Sequence, residues 1–381
     1  MEALLERARA AGRFGIDTEF IGEGRYRTLL CVIQLVVDDE HGRDILVVDA
    51  LEQGLNLSPL ASVLADPAVE VVLHAGRQDI ALLRRCAATE VTHIFDTQLA
   101  AGFAGIQAQA SYDTLLRELL DIDVQKSASY TRWDRRPLSA EQLSYAREDV
   151  LHLLDMAQEL EQCLQRSGRL EWAREECRAL EDMSDSRDPD LLFAKLPRIN
   201  ALRPAARAVA RELVEWREAL AERQDRPAST VLNDSALVEL AKRRPQTRSE
   251  LEGVRGVNPG NLRRSGEELL AAIGRGSKRE PIPAERETRE HGSPLDSPLV
   301  ALCESLVRTR VLEARLAYEL VASRADLQRV VAATRSGIGE PDVRTLQGWR
   351  RELVGEELLA LLSGELGLSV GAGRELVVRS L

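Results

Sequence analysis

Long apolar runs are missing from this 381-residue chain. A helix that spans a bilayer needs about 18 or more consecutive apolar residues, so no membrane partner is expected. The first twenty residues carry acidic side chains early and no apolar core of secretory type, which argues against a signal peptide. Cysteine is scarce: Cys31, Cys86, Cys163, Cys177 and Cys303 are odd in number, widely spaced and never arranged as C-x-x-C. That excludes a disulfide framework and a zinc ribbon, and it points to buried thiols in a reducing cytoplasm. Lysine occurs only at Lys126, Lys195, Lys242 and Lys278. A coding bias towards arginine accounts for that, and nothing about function follows from it.

What is present is ample for folding. Hydrophobic residues make up 44% of the chain, enough to build sizeable cores, and the length suggests two or three domains. The net charge of −11 is unevenly spread. Residues 201–279 hold 16 Lys and Arg against 11 Asp and Glu, a balance of +5, whereas residues 1–200 come to −13. An acidic body joined to a basic middle segment suits metal-dependent work on a nucleic acid better than the total suggests.

Strand and helix signals alternate in the first part. The pattern predicts strands over 13–20, 29–37, 44–49, 69–74 and 93–95, with helices over 57–64, 79–86, 112–120 and 139–165. Three early strands followed by alternation indicate an α/β domain with a mixed sheet. The stretch MSDSRDPD, residues 183–190, reads as a linker. Residues 201–275 carry only helical patterns, and 274–293 reads as a polar second linker. Residues 297–381 are expected to be all helix, with breaks at 336–341 and 364–367. RRSGEELLAAIGRG (263–276) is echoed by RRELVGEELLALLSGE (350–365), a degenerate two-copy repeat unless short amphipathic helices match by chance.

Five side chains stand out. Asp17 and Glu19 in IDTEF are two apart on a predicted strand and project from one face. Carboxylates so close repel unless a cation sits between them, although such a pair is also common on a solvated strand edge. Asp79 follows VVLHAG at a strand-to-helix turn, where an acid can also be a helix cap. Tyr145 and Asp149 in YAREDV share one helix face at i and i+4. Hard oxygen ligands of this kind suit Mg²⁺ or Mn²⁺ and not zinc. Nearby, Asp96 in IFDTQ reads as a strand-end cap, His74 as a structural histidine and Trp133 as an apolar anchor beneath the following turn. Arg135 and Arg136 could meet phosphate or form a solvated face.

IDTEF, VLHAGRQDIALL, IFDTQLAA and WDRRPLSAEQLSYAREDVLHLL, in that order, resemble the DEDD exonucleases with tyrosine in the last motif. Within them the spelling is closest to the bacterial ribonuclease D family, over roughly residues 13–165. The resemblance implies an α/β ribonuclease H-like domain in which Asp17, Glu19, Asp79 and Asp149 bind two divalent ions, Mg²⁺ or Mn²⁺. Tyr145 then positions the attacking water, and Glu19 hydrogen-bonds the terminal 3′-hydroxyl. Nucleoside 5′-monophosphates are the expected products. One departure from the family spelling is Arg132, which stands before Trp133 where an acid is usual, with Asp134 after it.

LVEWREALAERQDRP, VLNDSALVELAKRRP and LEGVRGVNPGNLRRSGEELLAAI resemble the HRDC domain of RecQ helicases and ribonuclease D. The segment containing LQGWRRELVGEELLALLSGEL looks like a second, more divergent copy. The expected domains are therefore 1–182 (exonuclease), 201–278 (HRDC) and 297–381 (HRDC-like), the last two all-α. Taken together, these features predict a monomeric, cytoplasmic, metal-dependent 3′-to-5′ exoribonuclease acting on tRNA precursors or other structured RNAs with single-stranded 3′ ends. The rivals are the same chemistry on DNA, and a non-catalytic nucleic-acid-binding protein.

Overall fold

The computed structural model describes residues 1–107, 109–123, 132–284 and 296–381. Its first part is a five-stranded mixed sheet, β1 (Arg13–Ile21), β2 (Leu29–Asp39), β3 (Gly42–Asp49), β4 (Glu70–Leu73) and β5 (Ile94–Asp96), in the order β3-β2-β1-β4-β5. β1 runs antiparallel to β2 and parallel to β4. Among the described residues eight helices surround the sheet: α1 (Glu2–Ala11), α2 (Ser58–Leu64), α3 (Arg77–Cys86), α4 (Thr97–Phe103), α5 (Tyr112–Leu120), α6 (Ala140–Leu151), α7 (Leu153–Arg166) and α8 (Leu170–Arg178). β2 is buried from Leu30 to Val37, and apolar there except at Gln34, because both faces of the sheet are covered. Phe14 and Ile16 turn to a core shared with α1, α2 and α3. Gly15, Asp17 and Glu19 turn the other way, towards α6 and α7. The helix expected over 139–165 is two, broken at His152.

Residues 183–188 form neither helix nor strand, and Asp188 caps α9 (Pro189–Ala194). The middle module then packs α10 (Pro204–Arg223), α11 (Ala228–Val231), α12 (Asp234–Arg243), α13 (Arg248–Glu252) and α14 (Pro259–Lys278) about its own core. Here the second linker begins later than expected, because α14 continues through Gly274. A Cβ on Gly276 would lie 2.7 Å from the Val209 backbone, so this glycine lets α14 lie close against α10 and does not end the helix. The part of the predicted linker over 285–293 lies outside the described residues.

The last segment repeats that element order with α15 (Asp296–Ala314), α16 (Tyr318–Val321), α17 (Arg324–Ser336), α18 (Gly348–Arg350) and α19 (Glu356–Ser363). It is not all helix: β6 (Leu366–Val370) and β7 (Leu376–Ser380) form an antiparallel hairpin. Five-residue runs rich in Val and Leu around a Gly-Ala-Gly turn carry too few residues for a helical period to compete with pairing.

Both helical segments are tied to the exonuclease body. Tyr26, in the β1–β2 connection, belongs to the core of the middle module. Around it Arg25 pairs with Asp225 at 2.8 Å, Arg187 pairs with Glu218 at 2.6 Å, and the Arg187 guanidinium lies 4.9 Å from the Tyr26 ring centre. The last segment goes further and has no separate main core. Val300, Cys303, Leu306 and Leu358 share one cluster with Phe103, Leu115 and Leu160. Trp349, 1% exposed, stacks on Trp172 at 5.4 Å and meets Phe103 edge-on at 4.9 Å. Among the described residues no helix is long and apolar enough to cross a membrane.

Because Trp349 joins two segments in one core, Trp349→Ala should cost about 3–5 kcal/mol, the usual loss for a large buried aromatic. Urea unfolding followed by far-UV circular dichroism measures it, and the loss should appear in the transition of the exonuclease body as well as in that of the C-terminal segment.

Candidate metal centre

The acids meet where backbone packing brings β1, α3 and α6 together. Two residues before Asp17, a Cβ on Gly15 would fall 2.6 Å from Val36 Cγ1 and 3.1 Å from Leu153 Cδ2. The bare glycine lets the start of α7 press on the strand, which draws the end of α6, with Asp149, over Asp17 and Glu19. Ser139 and Gln142 form a capping box that fixes the beginning of α6. Further along, Tyr145 and Asp149 lie one turn apart, and the tyrosine hydroxyl hydrogen-bonds the carboxylate. One carboxylate oxygen from each of Asp17, Glu19 and Asp149 lies within 4.8 Å of the other two.

Asp79 arrives from the opposite face of the sheet, in the first turn of α3. It is 7% exposed and accepts a short hydrogen bond from the Thr18 hydroxyl, on the face of β1 away from Asp17. The turn before α3 is held by Asp96. Its carboxylate accepts the N–H groups of Ala75 and Gly76 at 3.2 and 2.8 Å, and those of Gln98 and Leu99 at 2.9 and 3.1 Å. Asp96 is thus the cap that its sequence context suggests, and it also sets the turn that carries Asp79.

Asp17, Glu19, Asp79, Tyr145 and Asp149 line one cleft of about 340 Å³, with His74 and Tyr112 at its wall. Its electrostatics are those of unneutralised negative charge. Burial, then the neighbouring acids Asp79, Asp149 and Glu19, hold the Asp17 carboxyl far above the usual range. Burial followed by Asp149 and Asp79 pushes Glu19 up to about 8. Asp149 rises to about 7, first through burial, then through Glu148 and Asp113, while the Tyr145 hydrogen bond opposes the shift. Asp79 rises to about 6 through burial, against the lowering effect of Thr18. Tyr145 is raised too, by burial and by Asp149, so at neutral pH it is a hydroxyl that donates. An all-carboxylate donor set whose ionisation is resisted for want of positive charge fits a hard divalent cation.

Similarity to known proteins agrees with that chemistry. Residues 1–165 match the model of the 3′-5′ exonuclease family, and residues 206–273 match the HRDC domain. Ribonuclease D of Granulibacter bethesdensis is 39% identical over 361 residues, covering 93% of this chain and 88% of its own length. This chain belongs to the ribonuclease D family. Ribonuclease D of Gluconacetobacter diazotrophicus is 36% identical over 98% of this chain and 93% of its own length. The crystal structure of Escherichia coli RNase D, described as an exoribonuclease involved in structured RNA processing, superposes with a TM-score of 0.80 at 27% identity, covering 95% and 96% of the two chains. As a ribonuclease D family member the chain is a 3′-to-5′ exoribonuclease, and dependence on divalent metal is general in its family.

The surroundings of the cleft separate anchors from exposed groups. Trp133 is 2% exposed and packs with Cys31, Val32 and Ala146, its ring 6.0 Å from that of Tyr145. His74 is held by the Thr97 hydroxyl at 2.9 Å, and burial lowers its pKa. Arg136, exposed at the residue level, has partners within the chain. It clamps Asp49 with two hydrogen bonds of 2.5 Å and donates to the Cys31 carbonyl at 2.9 Å. Arg132 is exposed and pairs with Asp134 at 3.2 Å. Sequence reasoning overlooked Gly15, although a glycine inside an apolar strand signals close approach of another backbone or side chain.

In the folded, metal-free chain Asp79, Asp149 and Glu19 keep their protons to about 6, 7 and 8, against about 3.9 to 4.3 in the unfolded chain. Their contribution to stability is complete below about pH 4 and is lost as pH rises through those folded values. Thermal unfolding in EDTA should therefore show Tm falling from about pH 5 to about pH 9. Asp149→Asn should flatten the fall, and added Mg²⁺ should raise Tm most at the alkaline end.

Proposed function

We propose that Asp17, Glu19, Asp79 and Asp149 hold two divalent ions, Mg²⁺ or Mn²⁺, at the 3′ end of an RNA. The observation that carries this reading is the meeting of three carboxylates within 4.8 Å beside a fourth acid in the same cleft. When bound, such a pair of ions activates water and stabilises the departing oxygen of an in-line displacement. The chain's own groups do the rest. Tyr145, neutral and anchored to Asp149, orients the attacking water. Glu19 accepts a hydrogen bond from the terminal 3′-hydroxyl, which confines attack to chain ends and releases nucleoside 5′-monophosphates. All five groups come from one chain, so a monomer has a complete site.

The substrates in this reading are tRNA precursors and other structured RNAs with single-stranded 3′ tails, met in the cytoplasm. The work divides among 1–182 for catalysis, 201–278 for RNA grip and 297–381 for closing the body. Exposed Lys242, Arg244, Arg255 and Arg263 on the middle module supply cations for phosphate contacts that carry no sequence information. A second cavity, of about 650 Å³, shares Glu19 and Phe20 with the metal cleft and is also lined by Arg25, Arg132 and Asp225. Nucleotides upstream of the 3′ end lie there, between the exonuclease body and the middle module.

With Mg²⁺ or Mn²⁺, 3′-tailed RNA should shorten as a ladder from its 3′ end on a sequencing gel, and faster than matched DNA. Asp149→Ala should abolish the ladder. Tyr145→Phe should lower kcat about 10²-fold or more with little change in KM. Activity surviving in Asp149→Ala or in EDTA rejects the metal account, and faster digestion of DNA moves the assignment to a DNA exonuclease. For the second cavity, Arg25→Ala should raise KM for a tailed RNA several-fold and leave dinucleotide cleavage unchanged.

A further inference from the structure

Gln34 lies in the middle of β2 with none of its surface exposed. Neither its Nε2 nor its Oε1 has a hydrogen-bond partner among the described residues. Every other residue of the strand from Leu29 to Val37 is apolar. In the sheet Gln34 stands opposite Asp17 on β1 and Val47 on β3. Directly opposed residues of an antiparallel pair share a face, with Cβ atoms about 4.5–5.5 Å apart. The amide is therefore on the side of the sheet that carries Asp17 and Glu19, beneath α6 and α7. Its neighbours two positions away show what that layer contains: Val32 clusters with Trp133 and Ala146, and Val36 with Val150 and Leu153.

A buried amide without a hydrogen bond is destabilising, and an apolar side chain of the same volume at position 34 avoids that cost. Nothing in the packing of this layer calls for a polar group. What does call for one is the neighbour across the strand pair. A carboxylate that ligates a metal has a second oxygen, and metal-ligating carboxylates are normally held by an outer hydrogen bond. We infer that Gln34 is a positioning residue for the metal centre: its Nε2, without a partner in the metal-free chain, donates to the Asp17 carboxylate across the strand pair when an ion is held there, and so fixes that carboxylate. The inference rests on Asp17 being a metal ligand.

The test uses the full chain without RNA. Mn²⁺ binding is measured by titration calorimetry for the wild type, Gln34→Met, Gln34→Leu and Asp17→Asn, with thermal unfolding of each metal-free protein alongside. Loss of an outer hydrogen bond should weaken Mn²⁺ binding about 10–100-fold in both Gln34 variants, while their metal-free Tm stays level or rises. A Kd within twofold of wild type overturns the role of Gln34 and leaves the metal site standing. Mn²⁺ binding that Asp17→Asn leaves unaltered overturns the metal-site assignment and the role of Gln34 with it. A metal-free Tm that drops in both Gln34 variants, or failure of both to fold, makes the amide part of the scaffold and also overturns the inference.

Discussion

Three carboxylates held within 4.8 Å of one another, and largely out of water, set the terms for everything around them. Free in solution they would separate; here the backbone does not let them. Asp17 and Glu19 are fixed by a central strand paired on both sides, and Asp149 by a helix that Gly15 allows to sit close. Charge repulsion stored in this way is relieved by protons or by cations. The raised values of Glu19, Asp149 and Asp79 and the fitness of the cleft for divalent ions are thus one property seen under two conditions.

That demand explains the rigidity of the surroundings. Asp96 satisfies four backbone N–H groups and locks the turn before Asp79. Arg136 and Trp133 pin the segment leading into α6. The β1–β2 connection begins just beyond Glu19, and its Tyr26 is embedded in the middle module. A helical module read from sequence as an RNA grip is therefore also a support for one wall of the cleft. The C-terminal segment is more deeply committed, since its helices complete the hydrophobic core that begins with Phe103 and Leu160.

The strand–helix alternation and the order of the five site residues were legible because each depends on local periodicity: period two for Asp17 and Glu19, four-residue spacing for Tyr145 and Asp149. The break at His152, the C-terminal hairpin and the passage of α14 through Gly274 were not. Each is settled by what packs against the segment. Gly276 looks like a helix breaker in isolation and is a close-approach residue only because α10 lies against it. The Asp49 partner of Arg136 is 87 positions away, so nothing in the local sequence announced that ion pair.

The sequence by itself determined the family, the sheet-and-helix plan and the identity of the acids, since residue types, order and short-range spacing carry them. Tertiary structure decided which acids crowd one another and that Thr18 donates a hydrogen bond to Asp79. It also decided how far burial resists their ionisation, and that a glutamine in an apolar strand faces Asp17. Those are properties of distance and dielectric between residues remote in the chain, and they come into being only when the strands and helices pack.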